Sequence, residues 1–310
     1  MVREALPRAA LLGLVLEAWG LFMSNVAGIS PTLAAYLARI GLAGAPSVDG
    51  CGLAAMQAAH RQTIAFENLS VRLGDAVQCD SASAFAKLVT AQRGGFCFEH
   101  NQLLADMLGE AGFDCRLLLA RVLLGNPATI PARTHCLLLA ELADGPWIAD
   151  AGFGGSYAPP MPLIDGALAQ SGDGAHHRLT RMDDAGALAG SFLLERKGPA
   201  GSTDGRGAGG AAWEPQYAFD LAPVLPSDLA MGCHWSATHP QSRFTKVTVA
   251  SLCLPDGFAS MVDRQFTSWR MEEAPARRDI AGAAEYRELL EARFGIALGA
   301  ADIARLPLWD

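Results

Sequence analysis

The chain has 310 residues, of which 51% are hydrophobic and 18% charged, a composition typical of a folded protein with a large buried core. Its formal net charge is -8 and it contains no block of lysine and arginine, which argues against a nucleic acid partner, since phosphate binding needs clustered positive charge. The seven cysteines are widely spread and form no repeated C-x-x-C pairs, a pattern that favours a reducing, cytoplasmic setting.

The opening segment, "MVREALPRAALLGLVLEAWGLFMSN", carries Arg3 and Arg8 ahead of an apolar run, as a signal peptide does. Glu17 interrupts that run, which is also shorter than a comfortable membrane-spanning helix. We therefore favour an amphipathic helix, or translated sequence upstream of Met23, over export or membrane insertion. The prediction is an N-terminal extension over residues 1–30.

Apolar residues then recur at helical spacing up to about residue 112. Helices are predicted in "PTLAAYLARIGL", "GLAAMQAAHRQTIAF", "DSASAFAKLVTA" and "FCFEHNQLLADMLGEAG". The last of these begins after Gly94 and Gly95 and ends at Gly112 as a capping glycine. Cys97 is thereby predicted at a helix N-terminus.

Short strand-like runs follow from about residue 115. "HCLLLAEL" and "PWIADAGF" are separated by "ADG", which predicts an antiparallel hairpin, and "CRLLLARVLL" precedes them. Further strands are predicted in "HHRLTRMD", "SFLLERK", "YAFDL", "FTKVTVASLCL" and "SMVDRQFTSW", and a closing helix in "AAEYRELLEARFGI". The glycine-rich residues 198–212 lack the strand-then-helix context of a phosphate loop and are predicted to form a flexible surface excursion.

The chemistry centres on Cys97, because an ordinary thiol has a pKa of roughly 8.5 and is mostly protonated at neutral pH. A helix N-terminus and a nearby imidazole would together favour the thiolate. His135, at the start of the "HCLLLAEL" strand, is the candidate base, and Asp150, at the end of the strand paired with it, is the candidate orienting acid. Taken singly, each residue has a structural alternative as buried cysteine, strand-end histidine or turn aspartate.

A metal site built from Cys97, His100, His135 and Cys136 is the competing interpretation of these residues. Adjacent residues on a strand point to opposite faces and rarely bind one ion together. We therefore predict no metal, and the local contexts of cysteine, histidine and aspartate in that order favour nucleophilic catalysis.

Four motifs carry a resemblance to a known family: "FENL" at 66–69, "RGGFCFEHN" at 93–101, "RTHCLLL" and "WIADAGFGG". In order and approximate spacing they resemble the arylamine N-acetyltransferases, from about residue 31 to the end. The resemblance implies an α+β fold with a papain/transglutaminase-like core. Its parts would be an N-terminal helical bundle (31–113), a central antiparallel β-barrel (114–222) and a C-terminal α/β lid (223–310). It also implies an ion pair between Glu67 and Arg93.

The activity implied by the resemblance is transfer of an acetyl group from acetyl-CoA to an arylamine, an arylhydrazine or an N-hydroxyarylamine. Cys97 would carry the acetyl group in a ping-pong cycle, with His135 activating it and Asp150 orienting His135. No cofactor would be bound permanently, because acetyl-CoA acts as co-substrate. An amide synthase of the same family and a transglutaminase-like cysteine hydrolase stay open as alternatives, since the triad alone does not choose between amine and water.

Substrate contacts are also carried over by position. Thr134, Gly154 and Gly155 match positions for CoA, and Phe244 with Ile130 match positions for the amine. The sequence leaves the oligomeric state open. It also leaves open the role of His100, which lies one helical turn after the cysteine where relatives carry an apolar or amide residue.

Overall fold

The computed structural model describes residues 29–309, and the predicted helix or upstream sequence ahead of Met23 lies outside the described residues. None of the helices in this described range is long and apolar enough to cross a membrane.

The N-terminal part of the described chain is helical. Its helices are α1 (Pro31–Ile40), α2 (Gly50–Thr63), α3 (Leu69–Leu73), α4 (Ser81–Phe85, continued by a π-helical turn over Ala86–Thr90) and α5 (Cys97–Glu110). Ser30, Asp49 and Asp80 cap α1, α2 and α4, each accepting a hydrogen bond from a backbone N–H of the first turn. Leucines on the inner faces of α1, α2 and α5 meet in one hydrophobic core, which makes this part a helical bundle.

The central part is an antiparallel sheet of eight strands that forms a nearly closed barrel. The strands are β2 (Asp114–Val122), β3 (His135–Leu142), β4 (Gly145–Ala149), β5 (Met161–Pro162), β6 (Leu168–Gln170), β7 (His176–Arg181), β8 (Phe192–Gly198) and β9 (Gly210–Phe219). Their spatial order is β5-β4-β3-β2-β9-β8-β7-β6. The predicted hairpin is present, with Leu142 paired to Gly145 across the turn, so the end of β4 runs back beside β3.

The C-terminal part combines a second sheet with helices. It contains α6 (Pro226–Thr238), β10 (Val249–Leu254), β11 (Gly257–Val262), β12 (Gln265–Arg270), β13 (Ala276–Asp279), α7 (Ala283–Phe294) and α8 (Ala300–Arg305). One strand of this sheet comes from the helical part: β1 (Phe66–Glu67) pairs with β10, Phe66 lying opposite Ser251. The "FENL" motif therefore joins the helical bundle to the C-terminal sheet.

The predicted α+β class is confirmed. The helix α6 and the strands β5, β6 and β13 were not predicted, and two predicted strands have different bounds in the structure. The single strand predicted in "SMVDRQFTSW" is divided between β11 and β12, because the chain turns at Asp263, which has a φ of 49°. The first residues of "FTKVTVASLCL" belong to a 3₁₀ turn over Arg243–Thr245, and the strand begins only at Val249. Both differences come from turns that lack the glycine or proline usually read as a turn signal.

The prediction of a flexible surface excursion over residues 198–212 is wrong. A 3₁₀ turn forms over Ala200–Ser202, and Ser202 and Asp204 are only 1% and 8% exposed. Gly201 lies so close to the Trp269 ring that an added Cβ would be 2.5 Å from it. Glycine here allows close packing against the second sheet rather than flexibility.

A disulfide joins Cys79, between α3 and α4, to Cys233 in α6. This pairing runs against the reducing compartment that the cysteine pattern favoured. It links the helical bundle to the C-terminal part across 154 residues of sequence.

Replacing Cys79 with alanine is expected to lower the free energy of unfolding by about 2–4 kcal/mol, because a crosslink over so long a loop restricts the unfolded chain. Denaturant unfolding of the variant and the wild type under oxidising conditions measures the difference. The difference should largely disappear when both proteins are unfolded in reductant. Equal free energies of unfolding for the variant and the wild type under oxidising conditions would show that no stabilising disulfide forms at Cys79.

Candidate active site

Cys97 is the first residue of α5 and is 3% exposed. The two glycines before it let the chain pass against the "FENL" strand: an added Cβ would lie 2.1 Å from the Ala65 carbonyl oxygen at Gly94 and 2.6 Å from the Glu99 carboxylate at Gly95. The Glu99 carboxylate accepts a hydrogen bond from the N–H of Phe96, which fixes the start of the helix. Close approach, not a left-handed backbone, is what requires these glycines.

The segment before the cysteine is held by a buried ion pair. Glu67 is fully buried, and one of its carboxylate oxygens lies 2.8 Å from a terminal nitrogen of Arg93 while the other accepts from the N–H of Leu69. Burial would raise the pKa of Glu67, but the charges of Lys87 and Arg93 outweigh it and lower that pKa. This is the pair implied by the resemblance, and it lies beside the cysteine segment rather than among the reacting groups.

His135 and Asp150 meet where β3 begins and β4 has just ended. His135 Nε2 is 2.7 Å from Asp150 Oδ2, and the two side chains are almost completely buried. Since Nε2 faces the carboxylate, Nδ1 is the nitrogen left to exchange a proton with Cys97. The rings of Phe153 and Tyr217 lie 5.2 and 4.9 Å from the imidazole, centre to centre, and keep water from it.

Two amides that the sequence reasoning missed hold Asp150 in place. Asn101 donates to Asp150 Oδ1 at 2.9 Å and to the Cys136 carbonyl at 2.6 Å, and it accepts from the N–H of Ala151. Gln57 accepts from the N–H of Asp150 at 2.7 Å. Asn101 follows the cysteine by four residues, so its place on the same helix face was readable from the sequence, whereas no local signal marks Gln57.

These contacts set the protonation of the site. Burial would raise the pKa of the Cys97 thiol, but hydrogen bonds from Cys136 and His135 and the charge of His135 lower it to about 6. Burial would likewise lower the pKa of His135, but the charge and hydrogen bond of Asp150 raise it to about 10. At neutral pH the stable form is therefore a thiolate facing an imidazolium, with Asp150 ionised beside it.

A cavity of about 210 Å³ opens beside the thiol. Aromatic side chains form much of its wall, namely Phe66, Phe153, Trp235 and Phe244. The ring of Phe244 lies 5.8 Å from that of Phe66, centre to centre. Flat apolar walls of this kind suit a planar ring.

The residues predicted to contact substrates are not all brought to this cavity. Thr134, Gly154 and Phe244 line it, and the Thr134 carbonyl oxygen is 3.7 Å from the Cys97 sulfur. Gly155 is not among the lining residues: it is buried, and an added Cβ would lie 3.1 Å from the side chains of Leu124 and Phe153. Ile130 does not line the cavity: its side chain is 48% exposed on the surface, and the neighbouring Pro131 lines the cavity instead.

His100, whose role the sequence left open, belongs to a buried chain of hydrogen bonds. Its Nε2 lies 3.1 Å from the Ala65 carbonyl and its Nδ1 2.8 Å from His60 Nε2, and His60 Nδ1 lies 2.8 Å from the Tyr36 hydroxyl. Because a carbonyl only accepts, each ring must carry its proton on Nε2, and both can be neutral. Burial lowers the pKa of His100 to about 3, so it adds no positive charge near the thiolate.

Among residues 29–309, no three His, Cys, Asp or Glu side chains are grouped so that they could hold a metal ion. The candidate ligands of the metal interpretation have other contacts. His100 bonds to Ala65 and His60, and the Cys136 sulfur lies 3.4 Å from the Cys97 carbonyl oxygen. The arrangement of these residues suits acyl transfer, because a low-pKa thiol, an imidazole paired with a carboxylate and a helix N-terminus meet at one cavity.

Comparison with known proteins gives one consistent family. The N-acetyltransferase family model matches residues 52–303. The arylamine N-acetyltransferase of Escherichia coli (strain K12) is 36% identical over 272 residues, covering 87% of this chain and 90% of that protein.

Solved structures agree with the sequence matches. The arylamine N-acetyltransferase from Salmonella typhimurium has a TM-score of 0.81 at 31% identity, covering 90% of this chain and 98% of that one. The Mycobacterium marinum arylamine N-acetyltransferase in complex with CoA has a TM-score of 0.78 at 28% identity, covering 90% of this chain and 100% of that one. The likeness therefore extends over nearly the whole described chain.

Proposed function

This chain belongs to the arylamine N-acetyltransferase family, and we propose that it transfers an acetyl group from acetyl-CoA to the nitrogen of arylamines, arylhydrazines or N-hydroxyarylamines through a thioester on Cys97. The observation that carries the proposal is the pairing of a low-pKa thiol with a carboxylate-bound imidazole at the edge of an aromatic cavity. The relative with CoA bound supports acetyl-CoA as the donor.

In the first half of the cycle, the Cys97 thiolate attacks the thioester carbonyl carbon of acetyl-CoA. The carbon–sulfur bond to CoA then breaks, and the departing CoA sulfur takes the proton from the His135 imidazolium. The products are acetyl-Cys97, neutral His135 and free CoA. We expect the N–H of Cys97, at the helix start, to donate to the tetrahedral oxyanion.

In the second half, the amine nitrogen attacks the acetyl carbon of the thioester. Neutral His135 accepts the amine proton while the bond to the Cys97 sulfur breaks, which restores the thiolate and imidazolium and releases the amide. Asp150 stays ionised throughout and stabilises the imidazolium. The aromatic walls favour a planar amine in the cavity over the water that a hydrolase would use.

Mixing the protein with acetyl-CoA in the absence of amine tests this cycle. We expect a rapid release of one CoA per enzyme that then stops, and peptide mass spectrometry should find one acetyl group on the peptide that contains Cys97. Adding an arylamine should restart CoA release and produce the amide. Continuous CoA release without amine would favour the hydrolase, and no release with any amine would refute the proposal.

A further inference from the structure

Two arginines line the cavity, and the mechanism above uses neither of them. Arg206 belongs to the glycine-rich segment, and Arg243 precedes the aromatic residue Phe244 in the 3₁₀ turn. Their side chains are both 31% exposed. Two segments far apart in the sequence thus bring positive charge to one wall of the same cavity.

A single buried carboxylate organises the pair. Asp204 Oδ2 lies 2.6 Å from Arg206 Nε and 4.0 Å from a terminal nitrogen of Arg243. The backbone N–H of Asp204 donates to the Gly155 carbonyl at 3.0 Å, so the segment is attached to the loop that follows Asp150. The position of Arg206 is therefore fixed by hydrogen bonds.

The outer nitrogens of this pair are available to a ligand. Among residues 29–309, the terminal nitrogens of Arg206 and all guanidinium nitrogens of Arg243 have no acceptor within hydrogen-bond distance. Two acids act on this pair of arginines. Asp204 lies next to both, and Asp263 acts on Arg243 while it accepts a hydrogen bond from the N–H of Thr248. Burial and the neighbouring charge of Arg206 lower the pKa of Arg243, a repulsion that a bound anion would relieve.

We propose that Arg206 and Arg243 form a binding site for an anionic oxygen group, a phosphate or a carboxylate, on one of the two substrates. The inference rests on the proposed function. A phosphate would come from the donor acetyl-CoA, and a carboxylate from an arylamine that carries an acid on its ring. A guanidinium presents its paired N–H donors to either group in the same fork geometry.

The test compares Arg206→Gln and Arg243→Gln with the wild type on four substrate pairs. The donors are acetyl-CoA and S-acetylpantetheine, which lacks the phosphates, and the acceptors are 4-aminobenzoate and 4-methoxyaniline. The measured quantity is the ratio of kcat/KM for the anionic substrate to that for its neutral counterpart. We expect one of the two ratios to fall by about 10- to 100-fold in each variant, as for loss of a charged hydrogen bond.

A fall in the donor ratio would identify the phosphate, and a fall in the acceptor ratio the carboxylate. Unchanged ratios in both variants would overturn the inference. Arg206→Lys should retain part of the ratio, since it keeps the charge and loses the fork. Arg270→Gln is the matched control, because that arginine pairs with Asp256 on the surface.

The inference and the proposed function fail in distinguishable ways. The wild type's turnover of the neutral pair, S-acetylpantetheine with 4-methoxyaniline, tests the function without involving the anion. If the wild type acetylates nothing, calorimetric binding of CoA and of 4-aminobenzoate to the wild type and the two variants still tests the arginines. Equal affinities for both ligands across these proteins would overturn the inference on its own.

Discussion

Replacing Cys97 with alanine is expected to lower acetyl transfer by roughly 10⁵-fold, the scale of loss seen when a covalent nucleophile is removed. The acetyl group would have no sulfur to bond to, and His135 would have no thiol to deprotonate. Turnover of acetyl-CoA with an arylamine measures the loss. The acetyl mark on the peptide that contains residue 97 should disappear in the same variant.

The fold of this variant should persist. Alanine removes only the sulfur, and the start of α5 is held by Glu99 and by the close contacts of Gly94 and Gly95. Thermal unfolding should therefore stay near that of the wild type. Cys115→Ala, which removes a half-buried thiol on β2, serves as the matched control and should keep full activity. Turnover of the Cys97 variant within tenfold of the wild type would reject the covalent cycle.

The longer helices of the bundle and the strands β2, β3 and β4 were predictable because their signals are local. β3 runs over the predicted stretch from His135 to Leu142, and the "ADG" turn set the register that carries the end of β4 back beside it. Cys97 at a helix start followed from the glycines and the helical spacing after them. Residue order and secondary structure were thus enough to bring together cysteine, histidine and aspartate.

What escaped prediction depends on contacts between distant parts of the chain. The pairing of Phe66 with Ser251, the support of Asp150 by Gln57 and the disulfide from Cys79 to Cys233 leave no local pattern. The glycine-rich segment was misread for the same reason. Its glycines match a flexible linker in composition, and only its contacts in the fold, including the buried Ser202 and Asp204, show that the segment is ordered.

Asp150→Asn is the second change with a large expected effect, because it reverses the proton arrangement of the site. Asp150 Oδ1 accepts from Asn101 and from the N–H of Gly152, so an asparagine would place its oxygen there and its NH₂ toward His135. His135 Nε2 would then have to accept, and the ring proton would move to Nδ1, facing Cys97. An imidazole in that tautomer cannot take the thiol proton.

We expect kcat/KM of this variant to fall by roughly 10⁴-fold, with the fold retained. Asp144→Asn, in the turn of the same hairpin, is the control and should leave turnover unchanged. A kcat/KM of the Asp150→Asn variant within tenfold of the wild-type value would show that Asp150 does not set the tautomer of His135.

The pH dependence of Cys97 alkylation separates this role from a merely structural one. In the wild type, alkylation should require pH above about 6, because the thiolate is lost as pH falls through the Cys97 pKa. Asp150 has two opposite effects on that pKa: its own charge raises it slightly, whereas the imidazolium that it holds lowers it by more. Removing the carboxylate should therefore move the alkylation midpoint upward, toward the ordinary thiol value of roughly 8.5. An unchanged midpoint near 6 would mean that the hydrogen bond from Cys136 and the helix start stabilise the thiolate and that His135 is not its partner.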